Sequence, residues 1–153
     1  MIKVETSIII SRPIEEVFAY VNDFRNSAQW QDGVVEVRQT PEGPVGKGTQ
    51  ITFVRTFLGR KLEGTSEVVE CEPPAKHTFQ STSGPLPFTV SRLFESTTEG
   101  TKVTIVFEMH PAGVFALAEP LIARNLRRSV EAAFGNLKDL LESGAGVASS
   151  EVS

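Results

Sequence analysis

Two arginines occupy places where the surrounding pattern calls for apolar side chains. Arg92 lies in the run Phe88-Thr89-Val90-Ser91-Arg92-Leu93-Phe94, and period-two alternation puts it on the same face as Phe88, Val90 and Phe94. A guanidinium among inward apolar residues needs a carboxylate, backbone carbonyls or a ligand oxygen, because an unpaired buried charge is costly. Arg92 is therefore the one catalytic candidate, a group suited to grip a carboxylate, phosphate or enolate oxygen. Against that role stand a bulge that turns it outward and a structural ion pair. Arg55 poses the same question beside Ile51, Phe53 and Phe57, in a strand whose two faces are both apolar.

Other catalytic signatures are thin. His77 and His110 sit in no recognisable metal spacing, Cys71 is the single cysteine, and no HExxH or CxxC pair occurs, so no metal is expected. No GxSxG elbow is present. Gly46-Lys47-Gly48-Thr49 echoes a phosphate loop without its full spacing or its strand–loop–helix setting, and reads better as a tight entry into a strand. Glu63, Glu67, Glu70 and Glu72 interleave with Leu62, Gly64, Ser66 and Val68 and read as a solvated outer face. No cofactor is expected.

The aromatic residues are skewed toward phenylalanine, ten against one Trp and one Tyr. Phe offers apolar area without a polar handle, which suits a core or the lining of an apolar pocket. Phe53, Phe79, Phe88, Phe94 and Phe107 fall on one proposed concave face, with Leu62 and Met109 beside them, while Phe115 and Ile122 belong to a covering helix. Ser66, Ser81 and Ser83 would supply a few orienting hydrogen bonds if they share that face. Together with Arg92 these residues, Ser83 excepted, form the expected ligand-contacting set.

The elements that must position them follow from periodicity. Residues 2 to 10 read as a strand, broken by Ser11-Arg12-Pro13. Pro13, followed by Glu15 and Glu16, opens a short helix with Ile14, Val17, Phe18 and Val21 on one side, ending near Asn22-Asp23; a second short helix covers Phe24 to Trp30. From Gly33 to His110 about six alternating runs are separated by Pro41-Glu42-Gly43-Pro44, Leu58-Gly59, Pro73-Pro74, Ser83-Gly84-Pro85 and Glu99-Gly100, implying an antiparallel meander. Phe115, Ala118, Ile122, Leu126, Val130, Ala133, Leu137 and Leu141 then mark one stripe of a helix over 112–142, which Pro120 kinks or restarts. Residues 1–142 are expected to form one domain and 143–153 a fraying tail.

Composition excludes several classes. The 153 residues carry a net charge of −4, which provides no general drive toward nucleic acid. No apolar stretch approaches the ~20 residues of a membrane-spanning helix. The start Met1-Ile2-Lys3-Val4-Glu5 lacks a signal-peptide layout, and the lone cysteine excludes an internal disulfide framework, so a cytoplasmic location is expected. Few apolar side chains are expected outside the core faces, which argues against a protein-docking patch. The sheet edges permit a monomer or a homodimer.

The order and spacing of several motifs resemble the START-like (SRPBCC) superfamily, and within it the polyketide cyclase/dehydrase-like branch. These are Pro13 with Val17-Phe18, Asp23, Trp30, Gly46-Lys47-Gly48-Thr49, Glu70 through Pro73-Pro74, Gly100-Thr101-Lys102-Val103-Thr104 and Leu137-Lys138-Asp139-Leu140-Leu141. The resemblance covers about residues 3 to 142. It implies an α+β helix-grip fold: a seven-stranded antiparallel sheet wrapped around a long C-terminal helix and an apolar cavity, with two short helices after strand 1. The function it implies is binding of a small hydrophobic molecule, such as a lipid, polyketide or isoprenoid-like compound. The alternative is a cyclase or dehydratase acting in the same cavity, with Arg92 or another polar residue steadying an enolate or shuttling protons.

Overall fold

Alternation along the last strand sets the pattern for the whole sheet: Val103, Ile105 and Met109 are buried, while Thr104, Val106 and Glu108 stay half-accessible on the other face. The computed structural model describes residues 1–57, 59–83, 86–111 and 113–144. Seven strands make one antiparallel sheet: β1 (Ile2–Ile10), β2 (Val34–Thr40), β3 (Gln50–Phe57), β4 (Arg60–Glu72), β5 (Lys76–Ser81), β6 (Phe88–Thr97) and β7 (Gly100–Met109), in the order β1-β7-β6-β5-β4-β3-β2. The expected breaks at Leu58 and Gly84-Pro85, and the tail beyond Gly144, lie outside the described residues.

Between the two edge strands run α1 (Ile14–Asn22), a 3-10 turn over Phe24–Asn26, and α2 (Ser27–Trp30). Pro13 is the N-cap of α1, with Glu15 and Glu16 in the first turn, where the helix dipole favours negative charge. The Tyr20 hydroxyl donates to Gln29 Oε1 at 2.7 Å, and Asn26 Nδ2 donates to the Tyr20 carbonyl at 2.9 Å, so the short helices are fastened to each other.

The long helix, α3 (Glu119–Glu142), lies in the grip of the sheet. Its buried residues, Val130, Phe134, Leu137 and Leu141, share one core with Phe24, Phe53, Phe79, Val90 and Phe94. The long helix begins later than the apolar stripe suggests: Gly113–Ala118 is a 3-10 segment, and Pro120 stands in the first turn of α3. Proline is tolerated there because its missing N–H has no intrahelical partner, so it restarts the helix rather than kinking it. As a consequence Phe115 lies in that 3-10 segment and is exposed, not aligned with the covering stripe.

A second departure concerns β4. Its register shifts between Val68 and Glu70, so that the inward set Leu62, Gly64, Ser66 and Val68 changes phase, and Cys71 comes opposite His77. The same bulge keeps Glu70 outward, where it pairs with Lys76 at 2.9 Å. Gly46-Lys47-Gly48-Thr49 forms a turn into β3, closed by Gly46 N–H to Thr49 Oγ1 (3.0 Å) and by Thr49 N–H to the Gly46 carbonyl (3.1 Å). Gly48 adopts φ +94°, which an L side chain would strain.

Candidate functional site

Arg92 points inward and is 4% exposed. In the β5–β6 register it stands directly opposite His77, and in β6–β7 opposite Ile105, so alternation alone carries its guanidinium into the interior. Neither the bulge nor the ion pair applies: no carboxylate reaches it among the described residues. Arg92 Nη1 donates to His77 Nε2 at 3.2 Å, and its buried Nε has no partner. Three aromatic faces surround it, with Cζ 5.1 Å from the Phe79 centroid, 5.2 Å from Trp30 and 5.9 Å from Phe24. Such contacts offset part of the desolvation cost, at about 0.5–2 kcal/mol each, yet they neutralise no charge. Burial, and the like charge of Arg55, push the Arg92 pKa down to about 9. The direction expresses a cation that lacks an anion.

The state of His77 follows from its neighbours. Arginine can only donate, so Nε2 must accept and the ring proton sits on Nδ1, which lies 3.0 Å from Asn22 Oδ1. A second ring proton would set N–H against N–H. Burial first, and then the Arg92 charge, accordingly hold the His77 pKa well below its ordinary value. The neutral ring stacks on Phe24 at 5.1 Å and meets Phe18, Phe79 and Phe94 at an angle. Cys71 Sγ also reaches Asn22 Oδ1, at 3.7 Å, and burial raises its pKa, so the thiol is held protonated.

Arg55 resolves onto the same side. It faces Leu62 across the β3–β4 register, and its Cζ lies 5.3 Å from the Phe53 ring centroid. Its side chain is exposed, yet surrounding protein lowers its pKa. Leu62 is exposed on that same face.

The other expected contact residues divide into two groups. Phe53, Ser66, Phe79 and Phe94 are buried, and of these Phe79 lies against Arg92. Phe88, Phe107, Met109 and Ile122 gather at the other end of the concave face, where Phe88 and Phe107 pair at 5.4 Å and pack with Leu126 and Ile122 of α3. Phe88, Phe107 and Ile122 are only half-buried although they point inward. Ser81 spends its hydroxyl on the Phe88 N–H at 2.9 Å. Ser83 is exposed and bonds Thr65, away from the concave face. Phe115, exposed on its 3-10 segment, is not brought to Arg92.

Sequence reasoning missed His77, Asn22, Phe24 and Trp30 as parts of the site. His77 was legible, since it precedes Phe79 by two residues on one strand and so shares its face. Phe24, Trp30 and Asn22 come from the short helical connection, whose packing no strand periodicity describes. Trp30 Nε1 and Ser27 Oγ are buried without partners in this same region. With Arg92 Nε they make three unsatisfied polar atoms on the α2–β6 side of the interior. Among the described residues, no group of three His, Cys, Asp or Glu side chains is placed to hold a metal ion.

The family described as polyketide cyclase / dehydrase and lipid transport matches residues 1–142, and the chain belongs to it. Among solved structures, TTHA0849 from Thermus thermophilus superposes with a TM-score of 0.76 at 19% identity, over 90% of this chain and 94% of that one. The di-domain ARO/CYC StfQ from the steffimycin biosynthetic pathway gives 0.76 at 17% identity, over 95% of this chain and 52% of StfQ. Ara h 8.0201 gives 0.72 at 12% identity, over 92% and 97%. At these identities the likeness is one of fold, the helix grip. No functionally curated protein matches the chain in sequence.

Proposed function

We propose that this member of the polyketide cyclase / dehydrase and lipid transport family takes up a small hydrophobic molecule carrying one anionic or strongly polarised oxygen group. The observation that carries the reading is Arg92: an inward guanidinium, 4% exposed, with an unpartnered Nε and no counter-ion. A ligand oxygen seated there would complete its hydrogen bonding and supply the missing charge. Phe79, Phe53, Phe88 and Phe107 would hold the apolar body, and Arg55 would add a second cation beside the anchor. Lipid, polyketide and isoprenoid-like acids all fit that chemistry. The same reading takes the protein as cytoplasmic, as a monomer or homodimer; among the described residues no helix is long and apolar enough to cross a membrane.

Cyclase or dehydratase chemistry is the second reading. It is favoured by Arg92 itself, since an unpartnered N–H on a buried cation is what a developing enolate requires, and by the fold shared with the ARO/CYC protein StfQ. Binding without chemistry ranks first because, among the described residues, no general base is free beside Arg92. The one lone pair of His77 accepts from Arg92, and Cys71 stays protonated.

The test compares a dansyl-labelled fatty acid with its methyl ester. Wild-type protein should bind the acid more tightly. Arg92→Met should weaken the acid by about tenfold or more, the equivalent of one charged hydrogen bond, and leave the ester nearly unchanged. Equal affinity for acid and ester in the wild type removes Arg92 as anchor. Failure to bind either, with no small molecule retained in native mass spectrometry, ends the binding reading altogether.

A further inference from the structure

Apolar side chains are not confined to the core faces, contrary to the expectation from sequence. Val114 is 77% exposed and Leu117 89%, and Phe115 and Leu121 are exposed with them, all within the 3-10 segment and the first turn of α3. Eight residues therefore present four large apolar groups to solvent. Beyond them, Arg124, Arg127 and Arg128 are all exposed, and no other charged residue stands between Glu119 and Glu131. Helical spacing puts Leu121, Arg124 and Arg128 along one stripe, opposite the side that buries Val130, Phe134 and Leu137.

The topology brings more positive charge to this end. The last residue of β7, Met109, lies beside Ile2 and Phe88 in the registers, and Phe57 and Arg60 close the β3–β4 hairpin at the same end of the sheet. Arg60 and Lys61 are exposed there, and so is Arg55, which pairs with Leu62 in the same hairpin. Of the acids at this end, Glu119 takes the Met1 ammonium at 2.9 Å, Glu63 pairs with Arg38, and Glu108 lies half-exposed on the outer face of β7. A chain of net charge −4 thus gathers cations around one protruding apolar tip.

We infer that this tip and the arginine stripe beside it dock the protein on an anionic lipid surface. A bilayer accepts protruding apolar side chains without a matching pocket, and its anionic headgroups attract arginines held at the interface. A second copy fits less well, because two-fold pairing of this face brings three arginines from each chain into one contact. Docked in this way, the protein presents the half-buried ring of Phe88, Phe107 and Ile122 toward the bilayer. The surface needs no ligand in the interior, so this inference and the binding reading fail separately.

The measurement is vesicle co-sedimentation of the full chain without added ligand, using phosphatidylcholine vesicles and roughly 3:1 phosphatidylcholine–phosphatidylglycerol vesicles. Wild-type protein should pellet with the anionic vesicles only and be released at about 0.5 M salt. The double variant Leu117→Asp/Leu121→Asp should lose at least about tenfold in bound fraction, and Arg124→Glu/Arg128→Glu should do the same while leaving every apolar group in place. All four positions are exposed, and unchanged thermal melts will show that both variants fold. Absence of anion-selective pelleting, or wild-type pelleting by the aspartate variant, overturns the inference. A wild-type dimer that the aspartate variant dissolves assigns the face to a second copy and overturns it equally.

Discussion

The two halves of α3 are held in different ways. The C-terminal half buries Val130, Phe134, Leu137 and Leu141, and its end is clamped to the turn after β1. Arg12 donates from Nε to the Leu141 carbonyl at 2.9 Å and from Nη2 to the Glu142 carbonyl at 3.1 Å, while Lys138 reaches the Ile9 carbonyl at 2.6 Å. The two that Arg12 takes are carbonyls a helix leaves without partners, and cations there also suit its dipole. The N-terminal half buries none of its residues fully between Glu119 and Ser129; Ile122, Ala123 and Leu126 are half-buried, and an exposed ion pair with the Met1 ammonium is its main polar tie. One helix thus serves as a structural pillar at one end and forms a half-covered rim at the other. Under the proposed binding function this asymmetry has a use, because burial that stabilises also obstructs entry.

Substitutions that sharpen the contrast come first by size. Leu137→Ala, at a fully buried site, should cost about 2–5 kcal/mol in chemical denaturation, whereas Ile122→Ala should cost less than about 1 kcal/mol. Comparable losses at the two sites would show the rim packed as tightly as the pillar. Next in size, Arg12→Ala should cost about 1.5–3 kcal/mol, since two charged hydrogen bonds to helix carbonyls vanish. Glu119→Ala should change stability little, its partner being an exposed terminal ammonium.

A further effect is on pH dependence and belongs to the deep end. His77 is neutral when folded and its pKa is depressed by burial, so below its unfolded value of about 6.5 the unfolded chain binds a proton that the folded chain refuses. Stability is then complete above that value and falls as the pH drops, with a slope that approaches about 1.4 kcal/mol per pH unit. Unfolding midpoints between about pH 7.5 and 5.5, above the main carboxylate range, should show this slope, and His77→Gln should flatten it. An identical slope in the variant would remove His77 as its source.

Much of the fold is written locally. The β strands, α1 and the burial of Arg92 followed from alternation and helical spacing, because Cβ directions are set by the backbone itself. The covering helix was legible as a stripe, though its start was not: Phe115 continues the 3.6 period, but the chain ahead of Pro120 folds as a 3-10 segment. Periodicity also has no means of showing that the stripe's outer neighbours Val114, Leu117 and Leu121 stay uncovered, since that depends on what else the chain brings to that face.

The contents of the site divide along the same line. Which strand residues point inward, including Arg92, His77 and Phe79, is a property of short peptide geometry and can be read from their spacing. What surrounds Arg92 is not, because Asn22, Phe24, Trp30, Arg55 and His77 come from separate stretches of chain and meet only through the sheet register and the packing of the short helices. The absence of a carboxylate beside that guanidinium among the described residues is likewise a matter of three-dimensional neighbours. Nineteen acidic residues were available in the sequence, and the fold placed none of the described ones there.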